Sequence, residues 1–150
     1  MSYIRRVLLE GEQVRYTAKM HWIAYLPALL EFVAGAALAI VAQVWSAPGL
    51  YFLVVPVLVV ALIHFLALWI VRWTTEIAVT DRRVIYKTGL IRRETNEMNM
   101  DKVESVKVDQ SILGRLLDYG DVTVLGTGAG FEPLRKIAAP ISLRNHITGV

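Results

Sequence analysis

Two apolar runs, Ile23 to Val44 and Leu50 to Val71, constrain this chain more than any other feature. Each is about 22 residues long, enough to cross a hydrocarbon core of about 30 Å as a helix. The first holds one formal charge, Glu31, and the second holds none but includes His64. Trp45-Ser46-Ala47-Pro48-Gly49 joins them, and Pro-Gly is a turn signal. A connector that short predicts an antiparallel hairpin of two transmembrane helices. Of the 150 residues, 55% are hydrophobic and 19% charged. A soluble domain has about 45–50% apolar and about 25% charged residues, so disorder is excluded and a soluble globule disfavoured. The chain has no cysteine, which excludes disulfide frameworks, thiolate zinc sites and cysteine nucleophiles.

Arg5, Arg6, Arg15 and Lys19 precede the first run, as basic residues precede a signal peptide. A secretory apolar region is about 7–15 residues, shorter than this one. Cleavage after Ala47 would also place Trp45 where a small residue is wanted, and a second span follows at once. Both segments are therefore expected in the mature protein. The turn at 45–49 lacks Lys and Arg, whereas the arm carries four and Arg72 follows the second span. The positive-inside rule then puts both termini in the cytoplasm. Trp22, Tyr25, Trp45, Tyr51, Trp69 and Trp73 cluster at the span ends as interfacial aromatic belts do.

Glu31 and His64 both lie about 10–12 Å from the cytoplasmic end of their spans at 1.5 Å per residue. Ionisable groups at that depth are costly and pair or mark function. The expectation is a Glu31–His64 hydrogen bond, with the small residues Ala28, Gly35 and Ala39 near the same face. A proton relay is the sharper alternative.

After the second span the pattern changes to period two. Trp73–Thr80 and Arg83–Leu90 alternate about an Asp81-Arg82 turn, with Gly89 marking the next break. Further strands are expected over Glu94–Met100, Val103–Gln110, Asp121–Thr127 and Glu132–Ala139. Ser111–Leu117 reads as a short helix capped by Ser111, with Ile112, Leu113, Leu116 and Leu117 as its apolar face. This spacing suggests a small antiparallel barrel or sandwich. Glu12–Met20 alternates weakly and is expected to add a strand to it. The organisation is thus an N-terminal arm over 1–21, a hairpin over 22–72 and a β-domain over 73–150.

The run Val79-Thr80-Asp81-Arg82-Arg83-Val84-Ile85-Tyr86-Lys87-Thr88-Gly89-Leu90 resembles the opening of the bacterial pleckstrin-homology domain of YdbT/YdbS-like membrane proteins. The more specific block, Val106-Lys107-Val108-Asp109-Gln110-Ser111-Ile112-Leu113-Gly114-Arg115-Leu116-Leu117-Asp118-Tyr119-Gly120-Asp121-Val122, is similar to it as well. Glu10-Gly11-Glu12, then His21-Trp22 and two spans, looks like the family's layout. The resemblance implies a membrane α-helical hairpin plus a small all-β pleckstrin-homology-like barrel, held at the inner leaflet of a bacterial cytoplasmic membrane. Such a barrel is usually closed by a C-terminal helix, for which Ile141 to Val150 remains. The hairpin or another subunit is the alternative cover for that mouth.

Catalytic signals are missing. The three histidines, His21, His64 and His146, fall in an arm, a span and a tail. No nucleophile elbow or His-Glu-x-x-His helix occurs. Gly126-Thr127-Gly128-Ala129-Gly130 lacks the Gly-Lys-Ser/Thr of a phosphate loop and reads as a hairpin between strands.

From Trp73 onward eleven basic residues stand against ten acidic ones, a difference of +1, which disfavours nucleic acid. The local cluster Arg82, Arg83, Lys87, Arg92 and Arg93 is the candidate contact for anionic headgroups or a partner. The expected function is a non-enzymatic, multi-pass inner-membrane scaffold or interaction module that binds protein or itself. A sensor of anionic lipid headgroups is the runner-up. A proton or ion carrier built on Glu31 and His64 comes third and would need an oligomer to enclose a path. No cofactor, metal or small-molecule substrate is implied; the partners expected are the bilayer and a protein.

Overall fold

The structure, a computed structural model, describes residues 3–90, 93–127 and 133–149. Its contacts divide the chain into two compact units, Trp22–Ile70 and Met1–His21 with Val71–Val150.

In the first of these, a 3-10 turn over Trp22–Tyr25 leads into α2 (Leu26–Val44), and α3 (Tyr51–Thr74) follows a second 3-10 turn at Pro48–Leu50. Pro27 sits in the first turn of α2, where its missing N–H has no intrahelical partner to lose. Pro56 lies inside α3. The connector closes through Ala47 N–H donating to Ala42 O at 3.0 Å. Ala28, Gly35 and Ala42, seven residues apart, form the buried stripe of α2, and Val54 and Ala61 are buried on α3. A Cβ on Gly35 would stand 2.5 Å from Leu58 Cδ2, so glycine is what lets the helices approach there. Most of the remaining large side chains of the two helices are exposed, Phe52 at 85%. Both helical segments, Trp22–Val44 and Pro48–Thr74, are long and apolar enough to cross a membrane, and only 22% and 11% of their most apolar stretches are buried. A core helix of a soluble fold would be largely covered.

The other unit holds two antiparallel sheets. One orders β1 (Val14–Ala18), β2 (Glu76–Thr80), β3 (Arg83–Thr88) and β4 (Glu94–Asn99); the other orders β5 (Val103–Asp109), β6 (Tyr119–Gly126) and β7 (Leu134–Ala138). The Asp81-Arg82 turn sets the β2–β3 register, pairing Val79 with Val84 and Glu76 with Lys87. The arm strand pairs with β2, Ala18 opposite Ile77. Ile77, Val79 and Val84 from one sheet meet Val122, Val124, Leu134 and Ile137 from the other in one core. This two-sheet arrangement of seven strands, among the described residues, is consistent with the pleckstrin-homology-like fold that the resemblance implies.

Several expectations change in detail. The Trp73–Thr80 strand begins only at Glu76, because α3 runs on through Thr74 and Thr75 still donates to Val71 O at 3.0 Å. Extending an existing helix adds a hydrogen bond per residue, and this outweighs a short β pattern at its end. The arm strand is shorter than Glu12–Met20, and a helix not foreseen, α1 (Tyr3–Val7), precedes it. The C-terminal residues form α5 (Pro140–Thr148), whose Leu143 and Ile147 enter the core, so this helix covers the sheets despite its length. Tyr16 stacks on His146 at 4.4 Å and ties α5 to β1. Most of the expected 126–130 hairpin lies outside the described residues.

Candidate functional site

The outer face of the first sheet carries most of the fold's organised charge. Glu76, Ala78 and Thr80 of β2 share this face with Arg83, Ile85 and Lys87 of β3, by the register and the strand period. The N-terminal arm covers it. Ile4 is buried, and the Glu76 carboxylate accepts from Tyr3 N–H at 3.1 Å and Ile4 N–H at 3.2 Å.

At the turn end of this face lies a closed network. Arg83 donates through Nε and Nη2 to Glu12 at 3.0 and 2.9 Å, and through Nη1 to Glu97 at 2.6 Å. Its Nη2 also reaches Val7 O at 2.7 Å. Glu12 further accepts from the Thr80 hydroxyl at 2.7 Å and from Leu9 N–H at 2.8 Å. Burial pushes the Glu12 carboxyl up, but the Arg83, Leu9 and Thr80 bonds and the Arg83 charge outweigh it and hold the group at about 2. The hydrogen bond to Glu12 likewise raises the Arg83 pKa.

At the other end of β3, Lys87 is buried and donates from Nζ to Thr74 O at 2.9 Å. With Tyr3, Arg6, Trp73, Glu76, Leu90 and Arg93 it lines a cleft of about 450 Å³. Three cations and one carboxylate, itself occupied in capping α1, make this cleft suited to an anion.

The five basic residues singled out from sequence are thus not one strip. Arg82 is exposed at the hairpin turn, and Arg83 is spent on Glu12 and Glu97. Lys87 and Arg93 line the cleft, roughly 16 Å from the turn at 3.3 Å per residue. Arg92 lies outside the described residues. Sequence reasoning missed Arg6, Trp73 and Glu76. The symmetric Asp81-Arg82 turn carried a signal for Glu76, since it places that residue opposite Lys87. Nothing local pointed to Arg6, which reaches the cleft only because α1 docks on the sheet.

In the helical unit, His64 Nδ1 and Glu31 Oε1 are 2.9 Å apart. The other Glu31 oxygen, Oε2, is a buried side-chain atom without a hydrogen-bond partner among the described residues. His21 stacks on Tyr119 at 5.2 Å, and burial first, then the Arg72 charge, lower its pKa against the opposing pull of Asp118.

Residues 23–149 match the model of a family described as a bacterial PH domain. The match covers helices and sheets alike and does not single out the YdbT/YdbS-like branch. No curated protein and no solved structure matches the chain.

Proposed function

The chain belongs to the bacterial PH domain family, and from that premise we propose that it is a membrane-anchored, non-enzymatic interaction module of the bacterial inner membrane. The exposed apolar surface of α2 and α3 carries this reading, because a lipid environment is what such helices need. Both spans return the chain to one side, and the basic arm puts that side in the cytoplasm.

For the ligand, the cleft lined by Arg6, Lys87 and Arg93 favours the phosphate of an anionic lipid headgroup. It lies beside Trp73 and Thr74, the residues with which α3 ends, two positions before β2 begins at Glu76. A basic residue near an anionic leaflet contributes about 1 kcal/mol, so three together give a useful preference. A protein partner or a second copy is the other reading, supported by the near balance of charge over residues 73–150, eleven basic residues against ten acidic.

The two readings separate in one experiment on the full chain. In nanodiscs with mixed lipids, anionic lipid should be retained through purification at low salt and lost at high salt. It should also be lost from an Arg6→Gln, Arg93→Gln double variant. Retention of zwitterionic and anionic lipid alike would overturn the headgroup reading. Photo-crosslinks in native membranes at multiples of 16.8 kDa, or to one foreign protein, would then establish a scaffold.

A further inference from the structure

We infer that α4 (Ile112–Leu116) and the residue after it form a second membrane contact, lying in the headgroup boundary of the leaflet from which the hairpin departs. The inference rests on the hairpin spanning the membrane.

The helix is built to face outward. The Ser111 hydroxyl caps it, accepting from Gly114 N–H at 3.0 Å, and Gly114 is its one buried residue. A Cβ at Gly114 would stand 2.6 Å from Tyr119 O, so glycine lets the turn lie against the start of β6. Ile112, Leu113, Leu116 and Leu117 are then left 87%, 61%, 78% and 38% exposed. Four large aliphatic side chains within six positions, all turned to solvent, are a contact surface awaiting an apolar phase.

Position selects the phase. Gln110 Nε2 donates to Tyr119 O at 3.1 Å and to Gly114 O at 3.3 Å, pinning α4 to Tyr119. Tyr119 stacks on His21, the last residue of its unit before the first apolar helix. Asp118, which follows the helical turn, and Arg72, which ends the return path, both act on the His21 ring. The exposed patch therefore lies beside the points where the chain leaves for the membrane and comes back.

Charge agrees with position. Arg115 within α4 and Arg144 of α5 border the patch across a groove that also holds Ile141 and a single carboxylate, Asp118. Apolar side chains flanked by arginine are the composition of segments that lie in the plane of an anionic interface, their apolar face about 5–10 Å deep. Four side chains fall short of the roughly 800 Å² per partner that a stable protein interface takes, whereas insertion into lipid has no such threshold.

The chain has no cysteine, so an introduced one is a unique label site. Leu116→Cys, and Ile112→Cys as a second position, would carry an environment-sensitive fluorophore in the full protein reconstituted into anionic vesicles. Val60→Cys on the outward face of α3 reports the span itself. Leu116 and Ile112 should be quenched more by a lipid quencher near the glycerol level than by one deep in the acyl chains, and Val60 the reverse. Quenching at Val60 with water-exposed labels at both α4 positions would overturn the α4 contact and leave the hairpin standing. So would α4 labels shielded from both lipid and aqueous quenchers, which would mean a protein cover. Quenching on α4 without quenching at Val60 would overturn the spanning hairpin and, with it, the inference as stated, leaving α4 a peripheral lipid contact unrelated to a hairpin.

Discussion

Glu12 and Arg83, 71 positions apart in sequence, meet in a bidentate ion pair that fastens the N-terminal arm to the sheet formed after the chain returns from the hairpin. The Glu12 side chain is fully buried, and Arg83 bridges on to Glu97. A buried pair of this kind is strongly destabilised when one partner is removed, because the other charge is left uncompensated.

The pair makes stability depend on acid in a defined direction. Glu12 has a folded pKa of about 2 against 4.5 for a free glutamate. The unfolded chain therefore takes up the proton first as pH falls. Stability is fully present above about pH 5 and is lost toward pH 2, by on the order of 2–3 kcal/mol. Thermal unfolding in detergent should show a falling midpoint over that range. Glu12→Gln should be less stable at pH 7 and should lose most of the acid dependence; an unchanged acid limb would remove Glu12 from the account.

The Glu31–His64 contact should hold the two apolar helices together modestly. Hydrogen bonds between helices in lipid are worth about 0.6 kcal/mol on average, with a maximum of about 1.7. Glu31→Gln and His64→Ala should each lower detergent stability by about that much, and the double variant should cost less than their sum. If both single variants leave stability unchanged, the contact contributes nothing to the hairpin.

Leu143 of α5 is completely buried between the sheets. Leu143→Ala should cost about 2–5 kcal/mol, the range for emptying a packed leucine site. Proteolysis of the β-unit at 37 °C measures it directly, and wild-type resistance would mean that α5 is dispensable to the core.

Two glycines separate backbone crowding from open space. A Cβ at Gly120 would lie 2.6 Å from Asp109 O, whereas one at Gly49 would meet nothing within 4 Å. Gly120→Ala should destabilise by about 1–3 kcal/mol, since a backbone oxygen cannot step aside as a side chain does. Gly49→Ala should be close to neutral in the same melt.

His21 should titrate below 6.5 in the folded protein, with burial the leading cause. The unfolded chain then binds the proton first, so His21 adds stability above about pH 6.5 that is withdrawn on acidification. Its ring signals in an NMR titration give the value, and a pKa above 6.5 would contradict the burial beneath Tyr119.

The local elements were legible in the chain alone, because their signals are short-range. Apolar length predicted both long helices, the Asp81-Arg82 turn announced the β2–β3 hairpin and its register, and Ser111 marked the start of α4. The family block around Gly114 and Tyr119 was legible for the same reason. Tertiary structure alone decided where charges and apolar faces point. Periodicity grouped Ile112, Leu113, Leu116 and Leu117 on one side of a helix but held no information on whether that side meets a core. Proximity in sequence gathered five basic residues, yet Arg83 turned to a carboxylate 71 positions earlier while Lys87 turned to Thr74. Such pairings depend on which strands become neighbours across the 22–70 hairpin, and neighbours that distant leave no periodic trace in the chain.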